Sequence, residues 1–181
     1  MTAALLSQPN DHPQACHPEE VIAVEKETPS CVFCRILRGE LTPAVVAFRD
    51  SETAVFPSLD QQPRNRGHML VVPVRHVAQI YDVDGDLAGP LMTTLARVAA
   101  AVKTVCRADG VSIRQNNGRH GGQDVFHVHF HVIPRFAGDG FMGLARSLGA
   151  IEVPLEERIE EARRLSDALG WSHGSSISER R

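Results

Sequence analysis

Three histidines alternate with apolar residues in the run His127-Val128-His129-Phe130-His131-Val132-Ile133. Alternation has the period of a β-strand, so the imidazoles share one face while Val128, Phe130 and Val132 share the other. The apolar face suits a core. The imidazole face suits metal ligation, general acid–base work or nucleophilic attack. Alternate residues of a strand stand roughly 7 Å apart, and the outer two of three about 13 Å apart. A single ion holding all three is therefore not expected, and the histidines must divide into different jobs.

Four cysteines occur, at 16, 31, 34 and 106. In a reducing compartment the Cys31-Val32-Phe33-Cys34 spacing reads as a metal half-site or a redox pair rather than half of a disulfide framework. No thioredoxin-like pattern surrounds it, which favours metal. Cys106 falls in an apolar helical pattern and is expected to be buried and inert; Cys16 carries no argument. Ahead of the histidines, Asn116 to Gln123 forms a loop in which Gly121 and Gly122 remove bulk, so that backbone N–H groups can approach a phosphate. The plainer reading of that loop is an ordinary hairpin connection.

The elements that must position these groups follow from periodicity. Ala44–Phe48 and Thr53–Phe56 read as strands joined at Arg49-Asp50-Ser51, and Gly67–Pro73 as another. Asp82, Asp84 and Asp86 offer an N-cap to a helix running to about Arg107, with Leu87, Leu91, Leu95, Val98, Val102 and Val105 on one stripe and Asp109-Gly110 ending it. Val111–Gln115 is a strand that the loop joins to the histidine strand as a hairpin. The stretch through Gly138, Gly140, Gly143 and Gly149 is irregular. Pro154 opens a last helix with Leu155, Ile159, Ala162, Leu165 and Leu169 inward, stopped by Gly170. Trp171 is expected to pack onto the core rather than reach a second subunit. The fold class is α+β, a mostly antiparallel sheet with one long helix against it and a C-terminal helix. Residues 1–29 read as a mobile extension, 30–149 as one domain and 150–181 as a helical extension.

A formal net charge of −3 gives no basic footprint, so nucleic acid is not an expected partner. No apolar run approaches the length of a membrane span, and the N-terminus lacks the pattern of a secretory signal. The expected location is the cytoplasm.

The histidine run resembles the signature of the histidine-triad (HIT) superfamily, His-x-His-x-His-x-x with x apolar. Gly121-Gly122-Gln123-Asp124-Val125-Phe126, the Cys31/Cys34 pair and Gly67-His68-Met69-Leu70-Val71-Val72-Pro73-Val74-Arg75-His76 look like that family too. The likeness spans roughly residues 31 to 142 and is nearest to its small, zinc-bearing nucleotide-binding branch. It implies a homodimer whose five-stranded sheets join, acting on the α-phosphate of a purine nucleotide. It implies that His129 attacks phosphorus, that His131 contacts the phosphate, and that His68 lies near the site. Asn117, Gly122 and Gln123 match phosphate-side positions, and Asp60 matches the residue that binds the ribose hydroxyls. Cys31, Cys34, His76 and His127 would hold a structural Zn2+, because four protein ligands leave no open position. Asp124 departs from the Ser or Thr of many phosphoramidases. An ionised carboxylate there would repel the phosphate, whereas one of raised pKa could protonate a leaving group.

The expected function is thus a nucleotide hydrolase or transferase working through a nucleotidyl-His129 intermediate, on nucleoside phosphoramidates or similar conjugates. One alternative is a dinucleoside polyphosphate hydrolase or phosphorylase. Another, of a different class, is a zinc-stabilised nucleotide-binding or interaction module with incidental catalysis.

Overall fold

Two strands of this chain are buried on both faces, and the rest of the fold follows from covering them. The computed structural model describes residues 30–41, 45–141 and 149–171. The elements, in order, are α1 (Val32–Leu37), β1 (Phe48–Arg49), β2 (Thr53–Pro57), β3 (Asp60–Gln61), β4 (Met69–Pro73), α2 (Gly85–Val105), β5 (Gly110–Arg114), β6 (Phe130–Arg135), β7 (Ile151–Glu152) and α3 (Leu155–Leu169). The fold is α+β, as read from the sequence. A five-stranded sheet has the order β1-β2-β4-β6-β5 with every neighbouring pair antiparallel. β3 and β7 pair separately, Asp60 with Glu152 and Gln61 with Ile151.

Every residue of β2 and β4 is buried. Odd positions of β4, Met69 and Val71, enter the larger core with Leu87, Leu91, Leu95, Val98 and Val102 of α2 and Leu165 of α3. Even positions, Leu70 and Val72, enter a smaller core with Phe33 and Leu37 of α1. The sheet therefore has two helices on one face and the cysteine-bearing α1 on the other.

Of the three aspartates offered as an N-cap, Asp84 fills the position, its carboxylate accepting the Leu87 N–H at 3.0 Å. The C-terminal end of α2 differs from expectation. The helix stops at Val105, with Arg107 at φ 53° reversing the chain, and Gly110 already belongs to β5. α3 spans the residues expected, with Gly170 left-handed at its end. Trp171 packs against the larger core and stacks on Phe48 with ring centroids 3.9 Å apart. The expected strand over 44–48 is reduced to Phe48–Arg49; Ala44 is outside the described residues, as are the expected extension 1–29, Gly143 and everything after Trp171.

The histidine strand also starts later than its alternation suggests. β6 begins at Phe130, so His127 and His129 precede the ladder. The His127 N–H closes a tight turn onto the Val125 carbonyl, and the Val128 N–H crosses to Val77 at 2.7 Å instead of pairing along a strand. Val128 and Val132 nevertheless lie in the larger core with Phe130 packed against it, so the division into two faces stands.

Candidate active site and metal centre

His127 is fully buried and turns into a cluster rather than toward solvent. Its Nε2–H donates to the Pro73 carbonyl at 2.9 Å, which leaves the Nδ1 lone pair facing the cysteines. That nitrogen is 3.5 Å from Cys31 Sγ and 3.6 Å from Cys34 Sγ, while His76 Nδ1 is 3.3 Å from Cys34 Sγ. Among the described residues these four donors form a buried group with ligand atoms all within 4.8 Å of one another. Bond lengths of about 2.3 Å to sulfur and 2.0–2.1 Å to nitrogen, opened to a tetrahedral angle, place S and N about 3.6 Å apart. The donor set and spacing thus fit a closed tetrahedral metal site. Cys34 lies in α1 and Cys31 is its N-cap, so a metal would pin the helix to the sheet.

Phe33, between those cysteines, links the metal cluster to the next histidine. Its ring meets His127 edge-on at 5.7 Å and His129 at 5.3 Å. His129 is buried, 5 % exposed, and its Nδ1–H donates to the His127 carbonyl at 2.7 Å. Burial pulls its pKa below the ordinary histidine value, with the carbonyl bond and the Asp124 charge opposing. A ring of that tautomer is neutral near pH 7 and keeps its lone pair on Nε2.

His131 stands beside it, ring centroids 4.9 Å apart, and its Nδ1 is 2.9 Å from Nε2 of His68. Burial foremost lowers His131 to about 4 and His68 to about 3. The His68 ring also donates to the Asp60 carbonyl. With one His68 nitrogen donating there, the other accepts from His131, so Nε2 of neutral His131 carries a lone pair. The Arg114 charge acts on both rings.

Other expected site residues are placed less directly. Asn117 accepts the Ile80 N–H at 2.8 Å and exchanges bonds with Gln115, tying the loop to the segment before α2. Gln123 is buried, accepting the Gly118 N–H at 2.8 Å and donating to Ala78 at 2.7 Å and Val125 at 3.1 Å. Gly122 takes φ 82°, and its N–H donates to the Arg119 carbonyl, so this amide is turned into the loop. Asp124 is exposed at the approach to the histidines, and Asp60 lies on β3 with its side chain exposed.

Several supports escaped the sequence reading. Gln61 accepts the Gly67 N–H at 2.8 Å and the His68 N–H at 3.2 Å. Its amide donates to Glu161 of α3 at 2.8 Å, and Glu161 also accepts the Gly67 N–H. The main chain that presents His68 is thus held from the far end of the sequence, which no local pattern announces. The only sequence signal for Phe33 was an aromatic residue inside the CxxC.

The HIT domain pattern matches residues 39–138. An uncharacterized HIT-like protein of Methanocaldococcus jannaschii is 42% identical over 110 residues, covering 61% of this chain and 82% of the relative. An adenosine 5'-monophosphoramidase of Candida albicans is 33% identical over 111 residues, covering 59% of this chain and 70% of its own. A zinc-bound histidine triad family protein from Mycobacterium smegmatis superimposes with a TM-score of 0.63 at 32% identity, over 78% of this chain and 94% of that one. With one of its three histidines in a cysteine cluster and the other two outside it, and with that pattern spanning more than half of its length, the chain belongs to the HIT family.

Proposed function

We propose that this protein is a nucleotide hydrolase or transferase that cleaves the α-phosphate of a purine nucleotide conjugate, such as a nucleoside phosphoramidate, through a nucleotidyl-His129 intermediate. The observation that carries this reading is the His129 ring, whose Nδ1–H is committed to the His127 carbonyl while burial keeps the ring neutral. A neutral imidazole with a fixed tautomer is a competent nucleophile. In the first step Nε2 forms a bond to phosphorus as the phosphorus–nitrogen bond breaks, and the amine departs with that electron pair and a proton taken from solvent. Water or another acceptor then displaces Nε2 and restores the free ring.

His131 serves the phosphate. A phosphate oxygen arriving at Nε2 favours its protonation, since a nearby anion stabilises the imidazolium. The proton gives the developing charge a donor that it lacks in the free protein. His68 holds the other side of that ring. Asn117, Gly122 and Gln123 shape the loop that bounds the phosphate, Asp60 offers its carboxylate to the ribose hydroxyls, and Asp124 stands at the leaving-group side.

Cys31, Cys34, His76 and His127 would hold zinc. The ion would neutralise the two thiolates and fix α1 and His127, with no part in bond making. The outer edge of β5, which pairs with no strand among the described residues and carries Ile113 at 48% exposure, supports a homodimer joined through that strand. Among the described residues no helix is long and apolar enough to cross a membrane.

The Arg114 charge beside His131 and His68 favours a second reading, a dinucleoside polyphosphate hydrolase or phosphorylase, because a cation there suits a further phosphate. Product analysis over AMP-amidates, dinucleoside polyphosphates and adenylated amines separates the two. Faster turnover of amidates than of polyphosphates is expected. Nucleotide binding without turnover of any of them would leave a binding module and overturn the enzymatic reading.

A further inference from the structure

On the face of the sheet opposite the histidines, a cavity of about 470 Å³ opens where α2 ends against α3 and the chain before β4. Its floor is apolar, with Met69, Val105 and Leu165 among the lining, and Arg64, Arg66, Arg107 and Arg164 stand around it. The carboxylate in the wall, Glu161, is one negative charge against four guanidinium groups, and its oxygens already accept from the Gln61 amide and the Gly67 N–H. Arg66 pairs with Glu157, yet its Nη1 is buried with no partner among the described residues. Arg164 spends one N–H on the Val105 carbonyl at 2.7 Å and Arg64 one on Gly138 at 3.2 Å, and a guanidinium carries five. Cationic donors thus outnumber their acceptors over an apolar floor.

The backbone adds an independent observation. Arg107 is the one described non-glycine residue at positive φ, 53°, at the turn after α2 where glycine is the usual occupant. A left-handed arginine is conformationally disfavoured, and such an outlier points to a use for its side chain. Gly67, at φ +95°, serves the same cavity. A Cβ there would lie 2.5 Å from Cys106 Sγ, so a side chain would collide with the wall.

We propose that this cavity is a second ligand site, separate from the histidine face, that takes an amphipathic anion. The ligand has a phosphate or carboxylate head for the arginines and an apolar body for the floor. A volume of this size lies within the range of small-molecule pockets of roughly 300–1,000 Å³.

The test uses the full chain labelled with 13C-methyl methionine. Met69 lies in the cavity wall, and Met92, 57% exposed on α2, is the internal control. Octyl phosphate and octanoate are titrated in parallel, with octan-1-ol and inorganic phosphate as partial ligands; the first two distinguish a phosphate from a carboxylate head. A saturable shift of the Met69 methyl with at least one amphipathic anion is expected, with Met92 unmoved and neither partial ligand effective at the same concentration. Arg107→Gly should weaken that binding at least fivefold while the melting temperature holds or rises, because glycine relieves the positive φ. The proposal is overturned if neither anion gives a saturable shift, if octan-1-ol matches them, or if Arg107→Gly binds as wild type does.

Discussion

Removing a thiol from the metal cluster should loosen α1 and, through Phe33, disturb His129. In Cys34→Ser the hydroxyl is a poor substitute for a thiolate, and the remaining donors no longer close the site. The six-residue α1 has few helical bonds of its own and is held by its cysteines and by Phe33 and Leu37, which are 7% and 6% exposed. Exposing two such side chains costs about 1.5–3 kcal/mol each, or about 3–6 kcal/mol together. That is a large part of the roughly 5–15 kcal/mol by which a domain is stable. At about 2–4 °C per kcal/mol for a chain of this size, the melting temperature should fall by roughly 6–24 °C. Calorimetry of purified wild type, chelator-treated wild type and Cys34→Ser, with elemental analysis of each, measures the effect. Wild type should carry about one zinc per chain, and the chelated and substituted proteins should melt together, well below it. Native protein without metal, or a chelator that removes metal without lowering the transition, would refute the reasoning.

Three further outcomes follow from the same geometry. Asp124→Ser should raise turnover of simple phosphoramidates relative to other conjugates, because it replaces a carboxylate at the leaving-group side with a hydroxyl donor; identical relative rates across a substrate panel would count against that role. Stability should fall as pH drops below about 6.5 toward about 4, because burial holds His131 near 4 and His68 near 3 while both take up protons in the unfolded chain at the ordinary 6.5. Denaturant titrations should show a shallower slope over that window in His131→Gln, and an unchanged slope would contradict the assignment. Ile113→Asp, placing a charge on the open β5 edge, should convert a sedimenting dimer to monomer without unfolding it; a wild-type chain that sediments as a monomer would remove the dimer from the account.

The histidine face was legible because its signal is local. Alternation alone separated Val128 and Val132 from His129 and His131, even though the ladder begins only at Phe130. The α2 stripe and the α3 boundaries were legible for the same reason, each being a periodic pattern with one local end signal, Asp84 at the start of α2 and Gly170 at the end of α3. What escaped was pairing across long sequence separation. β3 and β7 are two residues each, too short to show any period, and Gln61 meets Glu161 across the whole domain. Polar residues in an irregular stretch look like surface until the partner is known. Gln123 and Asn117 illustrate the complementary limit. Their types announced a polar loop, but only the folded chain shows their amides held by the main chain of Ala78, Ile80, Gly118 and Val125.

The central claim is that His129 becomes covalently attached to phosphorus, and the stereochemical course of the reaction tests it most directly. A substrate chiral at its α-phosphorus, turned over in isotopically labelled water, reports the number of displacements. Two in-line displacements, the first by His129 Nε2, predict net retention, and His129→Asn should bind AMP yet lose several orders of magnitude in kcat and form no labelled adduct. Net inversion in the wild-type protein would mean that water attacks directly, and would contradict the account.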